Sequence, residues 1–365
     1  MGPQAPWTRW CRPRATAFIV GVDSQSRSSK YCKAWRRCTP RMGQLVNRRG
    51  NHTSTSEEPQ PLRTSPSRAP PLRAVGWRQW MPVKEDVIVI TLVLGAIYIY
   101  FDMMHIPTHV PADFERMRTA GQLAARTLAH VEPLVVAGVS TGALDDAVRN
   151  FIALVPGAVA ATMGFRGYNH SSCISVNQVV CHGVPSHTKI LHTGDIVNVD
   201  VTVRVDGWHG DTSKTFIVGG VDAASADASR LVRTTREALE LGLRECKPNG
   251  RMGDIVYPIQ KHLEHAGYTV VNKYAAHGIG RRFHAPPHIV HGDGYPGHGA
   301  LLKPGLFFTI EPMANMGAVG TGTLRDGWTV VTLDGALSAQ FEHTVGVGAT
   351  ACEVFTRVPG NDAFI

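Results

Sequence analysis

Cysteine is scarce in this sequence and shows no pairing pattern. Seven cysteines occur among 365 residues, an odd number, and no two of them form a Cys-x-x-Cys pair. A disulfide framework needs an even and denser set, so this class of small secreted protein is excluded and a reducing compartment is favoured. No sequence period of 20–50 residues recurs, which excludes a solenoid or a propeller.

Acidic residues are nearly absent from the first 80 positions. This segment holds 15 Lys or Arg and three acids, whereas positions 81–365 hold 22 basic and 26 acidic residues. The net charge of +8 is therefore the sum of +12 in the N-terminal segment and −4 in the rest of the chain, and it does not indicate a specific nucleic-acid-binding domain. Because the segment is rich in Arg, Ser and Pro and has no sustained apolar period, we expect residues 1–104 to form a basic, largely disordered extension.

Three interpretations of this extension stay open. Its Arg- and Ser-rich, acid-poor composition is typical of an organellar transit peptide, which would imply a mitochondrial or plastid protein. It could equally be a basic docking tail. The interpretation that we favour is an over-extended reading frame, with translation starting at Met81, Met103 or Met104 in a cytoplasmic protein.

Only one long hydrophobic run is present. Residues 87–101 are uncharged and apolar, but these 15 residues are fewer than the ~20 that a membrane-spanning helix needs. The run is also too far from the N-terminus for a secretory signal. A weak anchor, a segment packed on the following domain and untranslated sequence are the alternatives.

Beyond residue 105 the sequence shows regular helical and strand periods. Apolar residues at three- and four-residue spacing predict a helix at 112–131, and helices are also predicted at 140–154, 226–246 and 252–265. Predicted strands are 196–205, 208–218, 306–311, 328–332 and 340–347. The elements fall into two successive groups, so we predict an α+β domain at 105–356, built from two similar halves, and a short C-terminal tail at 357–365.

A predicted hairpin carries the first functional indication. Residues 196–205 alternate strictly between apolar and polar, and Asp206-Gly207 is a two-residue turn signal. A turn there pairs Thr202 with Asp211 and makes Asp200 and Asp211 diagonal neighbours on the polar, solvent-facing side of the hairpin. Two converging carboxylates repel each other unless a cation lies between them, so a divalent metal site is the natural interpretation.

Three further residues strengthen that interpretation. His277 lies in a His-Gly-Ile-Gly segment, Glu311 ends an apolar strand, and Glu342 lies in the predicted strand at 340–347. A lone carboxylate after Phe-Phe-Thr-Ile is unfavourable unless it has a partner. Two Asp, two Glu and one His form an oxygen-rich ligand set that suits Mn, Fe, Co or Zn in a dinuclear hydrolytic site.

These motifs resemble those of a known family, the type I methionine aminopeptidases of the bacterial and organellar kind. The resemblance covers about two thirds of the chain, from Pro111 to Val354. Its motifs occur in order and at the family's spacing: CISVNQVVCHGVP (173–185), GDIVNVDVTVRVDGWHGDTSKTFIVG (194–219), HGIGRRFH (277–284), FTIEPM (308–313) and DGWTVVT with LSAQFEHT (326–344). The resemblance implies the pita-bread fold of creatinases and aminopeptidases, with two pseudo-symmetric halves, a curved antiparallel sheet and outer helices.

The resemblance also implies a role for each site residue. Asp200 would bind one divalent metal ion and His277 and Glu311 a second, while Asp211 and Glu342 would bridge both. His182 would contact the substrate near its amino group or scissile nitrogen, His284 would contact the scissile carbonyl oxygen, and Glu311 would move a proton. The implied methionine pocket consists of Phe165, Tyr168, Cys173, Phe283 and Trp328.

The function implied is hydrolytic removal of the initiator methionine from nascent polypeptides, with a preference for a small second residue. Water held between the two cations would supply the nucleophile as hydroxide. The expected partners are nascent N-termini, with the ribosome as a further candidate, and the expected state is a monomer. The chain departs from the family pattern at Asn169, His170, Ala276 and Ala285, none of which is a ligand.

Two other functions compete with methionine removal as interpretations of this sequence. A proline-directed aminopeptidase or dipeptidase of the same fold would share the five ligands but not the pocket. A protein of this fold that has lost its metals and only binds partners would have lost one or more ligands. The Phe283-His284 pair, Trp328 and the Cys-His-Gly-Val-Pro segment favour methionine, and all five ligands are present.

Overall fold

The structure is a computed structural model that describes residues 106–358. The basic extension, its apolar run at 87–101 and most of the C-terminal tail lie outside the described residues. Within residues 106–358 the four α-helices are α1 (Pro111–Val131), α2 (Thr141–Ile152), α3 (Ala226–Glu245) and α4 (Met252–His265). All four lie within two residues of the predicted bounds, and α2 begins directly after its cap, Ser140.

Serine caps explain where two of these helices begin. The Ser140 Oγ accepts the backbone N–H of Ala143 at 3.1 Å at the start of α2. The Ser225 Oγ does the same for the N–H of Ala228 at 3.2 Å at the start of α3. Each cap satisfies one of the backbone donors that the first helical turn leaves unpaired. None of the helices in the described part of the chain has the length and apolar character that crossing a bilayer requires.

The strands among residues 106–358 are short apart from one long hairpin. In chain order they are β1 (Val159–Ala160), β2 (Cys173–Val176), β3 (Val179–Cys181), β4 (Ile196–Val205), β5 (Trp208–Ile217), β6 (Thr269–Val270), β7 (Ala276–Gly278), β8 (Ala285–Ile289), β9 (Phe307–Ile310), β10 (Met313–Asn315), β11 (Thr321–Thr323), β12 (Val330–Thr332), β13 (Ser338–Gln340), β14 (His343–Val347) and β15 (Cys352–Val354).

All strand pairs within these residues are antiparallel. The first half contains a sheet in which β4 pairs with β1, β2 and β5. The second half contains a five-stranded sheet in the order β15-β14-β9-β7-β8, and two three-stranded sheets, β13-β10-β6 and β11-β12-β3, complete the set. Helices and antiparallel sheets in two successive groups confirm the predicted α+β class.

The hairpin of β4 and β5 has the predicted register. Val205 pairs with Trp208, Thr202 with Asp211 and Asp200 with Ser213. The expectation that the polar face of β4 is solvent-facing was wrong, because Asn198 and Thr202 are buried. The second half covers this face: the Nδ2 of Asn198 donates to the carbonyl oxygen of Gln340 at 2.9 Å.

One predicted strand is broken in two. The segment predicted at 340–347 forms β13 and β14, and Glu342 lies in the gap, where it makes an isolated antiparallel bridge to Ser213 of β5. The Glu342 N–H donates to the Ser213 carbonyl oxygen at 3.0 Å. This bridge joins the second half of the domain to the hairpin of the first half.

Two large hydrophobic cores support the two halves. The first core contains the five valines of β4 from Val197 to Val205, packed with apolar residues of α1 and α2. The second core contains apolar residues of α3 and α4 packed on β9, β13 and β14. The polar faces of β4 and β5 therefore turn toward the second half, and the candidate site lies at that boundary.

Candidate active site

The hairpin supplies two carboxylates on one face, Asp211 buried and Asp200 half-buried. Asp200 and Asp211 stand on β4 and β5, two pairing steps apart in the diagonal relationship that was predicted. The Thr202 Oγ1 donates a 2.8 Å hydrogen bond to the Oδ1 of Asp211. The Asp211 N–H donates to the Oγ1 of Thr344 on β14 at 3.1 Å, so the second half also holds this residue.

The second half supplies His277 and Glu311 from neighbouring strands. His277 lies on β7, and its N–H donates to the Oγ1 of Thr309 on β9 at 3.0 Å. Glu311 directly follows β9, and its Oε1 accepts a 2.9 Å hydrogen bond from the same Thr309 hydroxyl. The Gln340 Nε2 donates to the other carboxylate oxygen of Glu311 at 3.3 Å. One threonine thus orients both residues.

Acidic groups and His277 converge where the halves meet. The Nε2 of His277 lies 3.7 Å from the Oδ2 of Asp211 and 3.8 Å from the Oε1 of Glu311. One ligand atom from each of Asp211, His277 and Glu342 lies within 4.8 Å of the others, and all three residues are buried. A single cation could contact all three.

The electrostatics of the cluster favour a bound cation. Burial raises the pKa of Asp200 to about 7 and that of Glu311 to about 8, and it raises the pKa values of Asp211 and Glu342 as well. Among the residues that line this cavity none is Lys or Arg, so no side-chain cation balances the four carboxylates. A bound divalent cation would offset the mutual repulsion of these carboxylates when they are ionised. The residues therefore fit a metal site.

His277 is prepared to act as a ligand through one nitrogen. Its Nδ1 lies 3.1 Å from the carbonyl oxygen of Gly278, so the Nδ1 carries the proton and donates to that oxygen. Burial lowers the pKa of His277 to about 4, which keeps the ring neutral. The Nε2 lone pair then points to the carboxylates, an orientation common among histidine ligands.

A cavity of about 230 Å³ opens on this cluster. All twelve residues predicted for the site line it: the five candidate ligands, His182, His284, Phe165, Tyr168, Cys173, Phe283 and Trp328. The rings of Tyr168 and Trp328 meet edge to face at 4.9 Å, and those of Phe165 and Phe283 lie 5.0 Å apart. This wall of aromatic rings suits an unbranched apolar side chain.

The two other histidines of the cavity contact different aromatic neighbours. His182 packs edge to face on Tyr274 at 5.6 Å, and its backbone φ of 55° is unusual for a residue other than glycine. The ring of His284 lies 4.2 Å from that of His277 and 4.1 Å from that of Phe283. Desolvation lowers the pKa of His284 to about 3, so its ring is neutral and offers one N–H donor.

Seven residues of the cavity were not among the predicted site residues. They are Thr162, Cys181, Thr202, Tyr274, Ala275, Met313 and Gln340. Gln340 could have been found, because it precedes Glu342 by two positions and strand alternation places the two on one side. Its buried Oε1 has no hydrogen-bond partner among the described residues. Thr202 stands between the two hairpin acids and could have been found in the same way.

Glycine at 278 permits the close packing next to His277. A Cβ built on Gly278 would lie 2.1 Å from the carbonyl oxygen of Pro286, a distance that no side chain tolerates.

Of the departures from the family pattern, Ala276 is fully buried and Ala285 pairs with Gly278 in the same sheet. Asn169 and His170 lie in the segment that leads into β2.

The site was compared with known proteins. The chain is 49% identical over 253 residues to the methionine aminopeptidase of Escherichia coli strain K12, which covers 69% of this chain and 94% of that protein. It is 46% identical over 257 residues to the methionine aminopeptidase of Rickettsia prowazekii, covering 70% and 97% respectively. These relatives match nearly their whole length.

Solved structures give the same result for the fold. The crystal structure of the Rickettsia prowazekii methionine aminopeptidase matches with a TM-score of 0.66 at 45% identity and covers 69% of this chain and all of that one. A prolidase from Pyrococcus furiosus matches with a TM-score of 0.55 at 18% identity over 71% of this chain and 67% of that one, a likeness in fold alone. The predicted pita-bread fold is thereby confirmed.

The family profile described as metallopeptidase family M24 matches residues 115–349, a span that contains every residue of the cavity. Members of this family use divalent metal, in agreement with the buried ligand cluster. The chain therefore belongs to metallopeptidase family M24.

Proposed function

We propose that this chain is a methionine aminopeptidase that removes the initiator methionine from nascent proteins and peptides. The observation that carries the proposal is that the buried carboxylate–histidine cluster opens into a cavity walled by Phe165, Tyr168, Phe283 and Trp328. The names of relatives that the chain covers almost completely support the same activity. The proposed catalytic domain is residues 105–356.

We assign two divalent cations, of Co, Mn, Fe or Zn, to the five ligands. Asp200 would bind one, His277 and Glu311 the other, and Asp211 and Glu342 both. When bound, such ions lower the pKa of water and polarise a carbonyl group. Side chains of the protein itself would bind the substrate and move the proton.

His284 would act on the carbonyl oxygen of the scissile bond. Its neutral ring lies at the cavity, between Phe283 and His277, and offers an N–H donor. A donor aimed at an oxygen that gains charge stabilises the transition state more than the bound substrate. His182, which also lines the cavity, would contact the amino group or the leaving nitrogen.

Glu311 would carry a proton from the attacking water to the leaving amine. Its carboxylate is held in place by Thr309 and Gln340 and lies beside His277. A group that moves this proton must lie within hydrogen-bond reach of the water and of the leaving nitrogen, and a carboxylate fixed in the cluster is suited to that role. Recognition of the substrate's free α-amino group at the site would restrict cleavage to the bond after the first residue.

A preference for a small second residue is part of the proposal. The cavity is small, about 230 Å³, and Tyr274, Met313 and Gln340 line it together with the aromatic residues, so a large second side chain would compete with methionine for the same space. The expected monomeric state, association with the ribosome and the cytoplasmic location remain predictions.

The test is a peptide assay on the purified full-length chain after loading with Co, Mn, Fe or Zn in turn. We expect release of methionine from Met-Ala-Ser, little release from Met-Leu-Ser, and no cleavage of Ala-Pro-Ala. The metal content measured on the same samples should approach two ions per chain. Cleavage of Ala-Pro-Ala in preference to Met-Ala-Ser would favour the proline-directed rival, and failure with all four metals would refute the proposal.

A further inference from the structure

Asp145 is a buried acid that lies outside the catalytic cavity. It stands on α2, and its side chain is 5% exposed. The next residue, Asp146, is 37% exposed and pairs with Arg149 on the same helix. Burial of a carboxylate is costly unless hydrogen bonds compensate, so the surroundings of Asp145 need an explanation.

Two hydrogen-bond donors and one imidazole ring from one short segment surround this carboxylate. Its Oδ1 accepts the backbone N–H of Ser171 at 2.9 Å and the hydroxyl of Ser172 at 2.7 Å. Its Oδ2 lies 3.6 Å from the Nδ1 of His170. These two hydrogen bonds tie Ser171 and Ser172 to α2.

The held segment continues into the wall of the cavity. The hydroxyl of Tyr168 donates to the carbonyl oxygen of Ser172 at 2.9 Å. The hydroxyl of Thr162 donates to the carbonyl oxygen of His170 at 2.8 Å. Tyr168, Thr162 and Cys173 all line the cavity. Asp145 is therefore two hydrogen bonds away from the ring of Tyr168, by way of Ser172.

We infer that Asp145 is a positioning residue for the methionine pocket: it fixes the segment from Thr162 to Cys173 so that Tyr168 meets Trp328 at the distance that fits the substrate side chain. The inference rests on the proposed function. It concerns substrate binding and not the metal ligands, because none of the partners of Asp145 is a candidate ligand. Small displacements of positioning groups have large kinetic effects.

Asp145→Ala and Asp146→Ala form a matched pair on neighbouring helix positions. For Met-Ala-Ser, we expect Asp145→Ala to lower kcat/KM by roughly tenfold or more, mainly through a higher KM, with metal content equal to the parent's. Asp146→Ala should stay within about twofold of the parent, as surface substitutions usually do. Equal constants in the two variants would overturn the inference, as would a loss in Asp145→Ala that falls on kcat and on metal content.

Two further variants keep the test decisive if Asp145→Ala does not fold. In Asp145→Asn the amide oxygen still accepts from Ser171 and Ser172, so this variant should lose less of kcat/KM than the alanine variant and serves in its place. Tyr168→Phe removes the hydroxyl at the other end of the chain of hydrogen bonds. If Asp145 acts through it, the effect of changing Asp145 is smaller in the Tyr168→Phe background.

Fold-changes that simply multiply in the double variant would contradict the inference. The proposed function fails separately, if the parent chain itself releases no methionine. A parent that cleaves Met-Ala-Ser while the Asp145 variants match it would leave the function standing and refute the role of Asp145.

Discussion

The Nε2 of His277 lies 3.7 Å from the Oδ2 of Asp211, although one residue belongs to the second half of the domain and the other to the hairpin of the first. Both side chains are about 5% exposed. The distance is too long for a hydrogen bond and suits two groups that face a common cation.

Asp211→Asn should abolish peptidase activity and lower the metal content while the fold is retained. An amide is a neutral and weaker ligand, and one carboxylate would be missing from both proposed metal positions. The measurement is methionine release, metal content and the circular dichroism spectrum. Asp206→Asn, an exposed position in the turn of the same hairpin, is the control and should behave like the parent. Full metal occupancy with retained activity would contradict the dinuclear assignment.

His284→Ala should lower turnover by ~10²–10³ and leave the metal content near that of the parent. Loss of one hydrogen-bond donor to a developing oxyanion typically has this effect, about 3–4 kcal/mol in activation free energy. His277→Ala provides the contrast, since removal of a ligand should deplete metal. If His284→Ala loses a metal ion, His284 is itself a ligand; if it keeps full turnover, the histidine is structural.

The metal-free protein should become less stable as the pH rises from about 6.5, where the histidines of the unfolded chain have lost their protons, to about 8. Burial raises the pKa of Asp200 to about 7 and that of Glu311 to about 8, whereas these groups in the unfolded chain have ordinary values near ~4. In this window the folded state holds protons that the unfolded state has released, so the stabilisation present at low pH is lost as the pH increases.

Thermal unfolding after treatment with a chelator, measured at several pH values, checks this expectation. The midpoint should fall toward pH 8 without metal, and saturation with a divalent cation should raise it most at the high end of the range, since the ligands must be deprotonated to bind. Asp200→Asn should flatten the pH dependence of the metal-free protein. A midpoint that rises with pH in the absence of metal would show that the sign is wrong.

Gly278→Ala should destabilise the domain by ~1–3 kcal/mol, as overpacking of a dense core does. The added Cβ would lie 2.1 Å from the carbonyl oxygen of Pro286, in a buried strand next to His277. Urea unfolding measures the loss. In Gly320→Ala, the control, the new Cβ meets only the flexible side chain of Leu333 at 3.3 Å and should cost much less. Equal effects in the two variants would mean that the backbone near Pro286 yields.

Local signals in the sequence were sufficient for the hairpin and its acids. The valine alternation of β4 and the Asp206-Gly207 turn together determine the pairing of Thr202 with Asp211, so the register follows without knowledge of the rest of the fold. The helices were predicted equally well, since their apolar periods and serine caps are local. The site residues themselves came from motif resemblance, and the structure gathers all of them at one cavity.

Features that depend on contacts between distant segments were not predictable. The polar face of β4 is buried because Gln340, more than a hundred positions later, packs over Asn198. The break at Glu342 arises because this residue bridges to Ser213 instead of continuing a strand with its neighbours. Asp145 was overlooked for the same reason, because its donors come from a segment outside its own helix.

The division of the candidate ligands between two cores has a consequence for how the domain unfolds. Asp200 and Asp211 stand on strands anchored in the first core, whereas His277, Glu311 and Glu342 depend on strands anchored in the second. A cation bound by both sets would tie the cores together, and neither half could open without giving up metal affinity. Metal binding should therefore raise cooperativity as well as stability: two halves that could unravel in sequence would be made to unfold in a single step.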